Sequence, residues 1–218
     1  MHGEISMQND EAVFPYRKTV ARGKQILEIV QSLLAQIEKS ASDNDRLIAA
    51  GKIHEIGREF GTALRAYADA AGAHEAVVRT AIVHLKIAEP VRALQVIRPF
   101  VDKDPGYRFK DISGRPLSGL TILGDALRAN GDIDAAQQAY AEALKLVPED
   151  THSAGQLARI YIAHDEFEKA VSLGNRFLDD DETAALQSTT RLLANDPNRL
   201  PALAGLVHNF SAKLSDVR

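Results

Sequence analysis

Four times along this chain a residue of small volume is followed, at intervals of 12, 4 and 3, by residues of recurring size. The sets are Gly51, Ala63, Tyr67, Ala70; Ala81, Ala93, Ile97, Phe100; Gly124, Ala136, Tyr140, Ala143; and Ala158, Ala170, Gly174, Phe177. A size pattern that returns four times restricts the chain to stacked helix–turn–helix units. Two helices approach closely only where side chains are short, and the large residue must fill the space beside the contact. Phe100 and Phe177 stand where the pattern has alanine, and Gly174 where it has a large residue. The second and fourth pairs are therefore expected to pack less regularly.

The third set lies in the clearest stretch, Leu120 to Pro148. Leu120, Leu123 and Leu127 recur at helical spacing, as do Ile133, Ala136, Tyr140, Ala143 and Leu144. Between the two stripes, Gly131 can take the positive φ that ends one helix, and Asp132 can cap the next. Pro148 stops the second helix. This stretch resembles the tetratricopeptide repeat (TPR), the matching residues being Leu123, Gly124, Leu127, Gly131, Ile133, Ala136, Tyr140, Ala143 and Pro148. The resemblance implies an all-α fold: a right-handed α-solenoid of TPR-like helix–turn–helix repeats, with an N-terminal helix and C-terminal capping helices.

The expected organisation is a flexible tail over 1–14, an amphipathic helix over 15–40, and four repeats within 44–180. The repeats span 44–73, 74–105, 117–150 and 151–180. The helix over 15–40 carries Ile26, Leu27, Val30, Leu33, Leu34 and Ile37 in one stripe; it either caps the first repeat, dimerises, or folds into the protein's own groove. Between the second and third repeats, Gly106 to Leu117 exceeds the usual period and reads as an inserted loop. Its Tyr107, Arg108, Phe109 and Lys110 either tuck the aromatics back onto neighbouring helices or meet a partner. The acidic run Asp179 to Glu182 suits the positive N-terminus of a following helix. Residues 183–215 read as a divergent fifth repeat or a capping helix pair, which a repeat array needs at its end.

Several chemistries lack their residues. The chain has no cysteine, which removes disulfides, thiolate metal sites and cysteine nucleophiles. His54-Glu55 opens like a zinc-protease helix, but Arg58 stands at the second histidine's place. His54 and His84 occupy the place of Leu127 and read as packing residues with one ring nitrogen on water. No phosphate-binding glycine loop or nucleophile elbow is present. A net charge of −4, spread along 218 residues, argues against general nucleic-acid binding. No apolar run reaches the roughly 20 residues of a membrane span. Met1 to Asn9 lacks the apolar core of a signal peptide, so a cytoplasmic chain is expected. No enzyme, metal or cofactor is expected.

What the resemblance implies about function is binding of a protein or peptide in a concave groove lined by the first helix of each repeat. Transferring the groove-facing places by register gives Lys52, Glu55 and Ile56; Val78, Arg79, Ile82 and Lys86; Thr121, Asp125 and Arg128; and Gln156 and Arg159. The cations Lys52, Arg79, Lys86, Arg128 and Arg159 outnumber Glu55 and Asp125, with an apolar patch at Ile56, Val78 and Ile82. Such a lining suits an acidic segment with apolar anchors, held by an adaptor or assembly factor. The alternative is a structural scaffold that self-assembles through the helix over 15–40 and the ends of the solenoid.

Overall fold

The computed structural model describes residues 10–70 and 72–174. The expected fifth repeat, the acidic run and Phe177 lie outside the described residues. The chain divides into two compact units, residues 1–76 and 77–218.

In the first unit, α1 (Asp10–Lys39) is followed by α2 (Asp43–Ile56) and α3 (Phe60–Asp69). Helix α1 begins five residues before Pro15, so residues 10–14 are helical rather than part of a loose tail. The Ser42 side chain accepts from the Asp45 backbone N–H and starts α2, with Asp43 and Asp45 favouring the positive end of the helix. Helices α2 and α3 meet at Gly51. A Cβ there would lie 2.3 Å from the Tyr67 ring, so only glycine admits the tyrosine. Around this notch Ile48, Ala49, Ala63 and Ala70 are buried. The Tyr67 hydroxyl donates to the buried Glu55 carboxylate at 2.8 Å.

The second unit holds α4 (His74–Lys86), whose first turn carries the division, then α5 (Pro90–Lys103), α6 (Gly119–Asn130), α7 (Ile133–Leu146), α8 (Thr151–Ala163) and α9 (Phe167–Gly174). Its core has two parts. One gathers Val78, Ala81, Ala93, Ile97, Val101 and Ile122; the other gathers Leu127, Ala136, Tyr140, Leu144, Leu157 and Ile160. Gly124 receives Tyr140 as Gly51 receives Tyr67: a Cβ would stand 2.6 Å from the ring.

The inserted segment is not an unstructured loop. Strands β1 (Arg108–Lys110) and β2 (Pro116–Ser118) pair antiparallel, with Phe109 opposite Leu117 and both buried. Arg79 anchors this hairpin: its guanidinium donates to the Lys110 carbonyl at 2.9 Å and lies 5.7 Å from the centre of the Phe109 ring. Tyr107 stacks on Phe109 and meets Phe100 edge-on, at ring separations of 6.1 and 5.2 Å. Phe100, out of pattern in size, thus supplies one wall of the hairpin's seat.

Each first helix ends in the same way. Arg58, Ala88, Gly131 and Asp165 have φ of 60, 58, 92 and 59°. All four stand seven residues after the small residue of their set. The next residue's N–H then reaches back to the carbonyl of His54, His84, Leu127 or Tyr161 at 2.8 to 2.9 Å. In the first two turns the carbonyl-bearing histidine also uses its side chain: His54 Nδ1 meets Glu59 at 2.7 Å and His84 Nδ1 meets Glu89 at 2.9 Å. In both histidines Nδ1 braces the turn. The hydrogen bond from His84 holds the Glu89 carboxyl below its ordinary value, against some desolvation and with help from Arg92.

Candidate protein-binding face

The expected groove residues fall into three groups. Val78 and Arg79 are buried, at 0% and 1% exposure, and leave the lining. Arg79 spends its charge on the hairpin, and Val78 belongs to the core. Phe109 of the hairpin is likewise buried, with Tyr107 half-buried against Phe100, while Arg108 and Lys110 are exposed. Ile56 and Ile82 are half-buried, Ile82 against the core. The apolar patch expected at Ile56, Val78 and Ile82 therefore does not stand open as a set. Thr121 and Glu55 are buried as well.

A second group is consumed sideways. Lys52 pairs with Glu75, the first residue after His74 in α4, at 2.5 Å within the first unit. Asp125 of α6 meets His152 of α8, its two oxygens 2.9 and 3.0 Å from Nε2. These bridges are equivalent. Lys52 and Asp125 each follow the small residue of their set, and Glu75 and His152 each stand six places before the small residue of the next. The charges are exchanged between the two. Tyr140 also donates to Asp125, at 2.7 Å. Burial pushes the phenol upward in pKa, with the Asp125 charge adding and the neighbouring Arg128 opposing. For His152 desolvation favours the neutral ring, but the hydrogen bond and charge of Asp125, with Asp150 behind, outweigh it and raise the pKa. Arg115 of the hairpin end acts on His152 in the opposite sense.

The third group remains on the surface. Lys86, Arg128 and Arg159 are exposed. Arg128 lies one turn after Asp125 on α6, and Gln156 and Arg159 follow His152 by one and two turns on α8, so the α6 and α8 residues share a face. The acid on that face, Asp125, is already bound by Tyr140 and His152, whereas Arg128, which also lies near the Tyr140 hydroxyl, and Arg159 are exposed. Arg115 flanks the face, paired with Asp111 at 2.7 Å.

Beneath it lies a closed polar cluster. Asp150 is fully buried, caps α8 by accepting from the Ser153 N–H at 2.9 Å, and accepts from the hydroxyls of Thr121 and Ser153 at 2.7 and 2.6 Å. Thr121 in turn completes a capping box with Ser118 at the start of α6. The cluster fixes α8 against α6, and so fixes the spacing of Asp125 and His152. Among the described residues no group of three or more metal-binding side chains occurs, and no helix is long and apolar enough to cross a membrane.

A tetratricopeptide repeat family model matches residues 127–188. No curated protein sequence matches the chain. Among solved structures, a chain of the APC/C hetero-tetramer Cut9–Hcn1 is similar over 80% of this chain and 34% of that one, at 17% identity and a TM-score of 0.55. The crystal structure of MamA is similar over 76% and 94%, at 18% identity and 0.52. TTC0263, a thermophilic TPR protein of Thermus thermophilus, is similar over 78% and 98%, at 18% identity and 0.50. At such identities the likeness shows the fold: all-α, of the TPR solenoid class.

Proposed function

We propose that this chain, which carries a tetratricopeptide repeat on an all-α fold of the same class, is a non-enzymatic protein-interaction module. Its working surface is the face shared by α6 and α8, and its partner offers an extended acidic segment. The observation that carries this is the fate of the charges. Asp125 is engaged within the fold by His152 and Tyr140, while Arg128 and Arg159 stand exposed beside it. A face that satisfies its own acid and presents its cations attracts carboxylates. The exposed Arg108 and Lys110 of the hairpin extend the positive surface of the second unit. That a chain of similar fold sits in a hetero-tetramer supports an assembly role. With Val78 buried, the apolar anchors weigh less than charge in this reading.

The test uses the whole chain against a panel of fluorescent peptides of equal length, acid-rich and acid-free. Acid-rich peptides should bind more tightly, weaken as salt rises, and lose about tenfold or more in affinity to Arg128→Glu with Arg159→Glu. Equal binding by the reversed variant would sink the assignment of this face.

A further inference from the structure

Four large apolar side chains are exposed among the described residues, and three of them lie on α1: Ile26, Leu27 and Leu34, at 44, 57 and 49%. Helix α1 does pack on α2, and Leu33 is buried. A second stripe runs beside that contact. Gly23, Leu27, Val30, Leu34 and Ile37 follow one another at intervals of 4, 3, 4 and 3. This is the 3.5-residue period of a seam between two helices, whereas packing on a single short neighbour requires no such regularity. Gly23, Leu27 and Leu34 are exposed, Val30 and Ile37 are half-buried, and nothing stands within 4 Å of a Cβ built on Gly23.

The charges beside the seam select the occupant. The flanking positions that each follow Gly23, Val30 and Ile37 hold Lys24, Gln31 and Glu38, all exposed. In an antiparallel helix pair these positions face their own kind across the dyad. Lys24 then meets Glu38 of the second helix, Gln31 meets Gln31, and Glu38 meets Lys24. The row is its own complement when reversed. In a parallel pair the other flank, Ile26 and Leu33, would lie against Gln31 and Glu38, with no charge matched. We infer that a second copy of this chain docks on α1, the two helices running antiparallel along the Gly23 to Ile37 seam.

A helix pair about 25 Å long buries on the order of 1,000 Å², at the low end of specific interfaces. The dimer should therefore dissociate on dilution.

The experiment is light scattering behind size exclusion on the full chain across a concentration series. A monomer–dimer equilibrium is expected. Leu27→Glu with Leu34→Glu replaces exposed residues, should leave the circular dichroism unchanged, and should raise the dissociation constant about a hundredfold or more. Lys24→Glu alone and Glu38→Lys alone should each weaken the homodimer, because each sets like charges opposite one another. Mixing those two variants should restore a dimer, since a flank with glutamate at both ends then faces a flank with lysine at both ends. A chain monomeric at every concentration overturns the inference. So does a dimer indifferent to the two glutamates, and a dimer weakened by the charge changes but not restored by mixing overturns the antiparallel arrangement. Peptide binding at α6 and α8 is read separately and survives any of these results.

Discussion

The α2–α3 and α6–α7 pairs are two versions of one contact. Both drop a tyrosine ring into the space left by a glycine, Tyr67 on Gly51 and Tyr140 on Gly124. Around that shared shape the polar groups are reassigned. The Tyr67 hydroxyl returns to Glu55 on the partner helix of its own pair. The Tyr140 hydroxyl goes to Asp125, which is also tied to the next pair through His152. Deeper in, Thr121, Asp150 and Ser153 form a buried polar cluster, whereas Ile48, three places before Gly51, and Ala73 and Ala76, eight and five places before Ala81, stand at the same register earlier in the chain. Helix spacing follows from volumes, and volumes repeat. Polar bonds need only be satisfied, and each pair satisfies them with whatever its neighbours supply.

The largest effect should come from breaking the polar cluster. Asp150→Ala removes the cap of α8 and leaves the buried Thr121 and Ser153 hydroxyls without their acceptor. It should cost about 3 kcal/mol in denaturant unfolding. Importing the earlier register's residues together, as Thr121→Ile, Asp150→Ala and Ser153→Ala, should recover at least part of that loss, because replacing all partners by apolar groups removes the orphaned bonds. A triple variant less stable than the single one would show that the two registers are not interchangeable.

Next in size is the notch. Gly51→Ala and Gly124→Ala place a Cβ 2.3 and 2.6 Å from a ring. Each should lose about 2 kcal/mol, the overpacking outweighing alanine's helix preference. In a background of Tyr67→Leu or Tyr140→Leu the same change should become nearly neutral. The coupling energies of the two double-mutant cycles should agree; a clear difference would mean that the contacts share a shape but not an energy.

The helix ends offer a smaller contrast. Gly131 takes positive φ at no steric cost, while Arg58, Ala88 and Asp165 do so with a side chain. Gly131→Ala should destabilise by about 1 kcal/mol and Ala88→Gly should stabilise by up to about 1 kcal/mol, read from the unfolding midpoints. If both lower stability, the turn is held by more than its backbone conformation.

The helices, their turns and the Gly–Tyr notches were legible in the sequence because they rest on local volume and on hydrogen bonds within a few residues. The face was less so. Arg79 looked like a groove cation because register places it beside exposed positions, but the inserted hairpin consumes it. Nothing in the alternation of Tyr107, Arg108, Phe109 and Lys110 showed which helix would receive Phe109. The strands were missed because two runs of three residues carry too little period. Glu75 and His152 were also missed, although a signal existed. Each stands at one register place opposite a charge of the other kind, Lys52 or Asp125, in the preceding set. Comparing charges between successive sets would have found the bridges.

Those two bridges differ in how they should respond to pH, and this is the smallest effect. The Lys52–Glu75 bridge contains no imidazole. The other rests on His152, whose pKa in the folded chain is raised above the ordinary 6.5 by the hydrogen bond and charge of Asp125. A raised folded pKa means that the bond to Asp125 contributes fully below about pH 6.5 and fades as pH rises through the folded value. The stability difference between the native chain and His152→Gln should therefore shrink as pH increases. His152→Lys, which gives the second bridge a permanent cation like that of the first, should hold its difference from His152→Gln constant over the same interval. An unchanged gap between native chain and glutamine variant at every pH would mean that His152 bonds to Asp125 as a neutral ring. The two bridges would then be alike in place but not in kind, with only the first an ion pair.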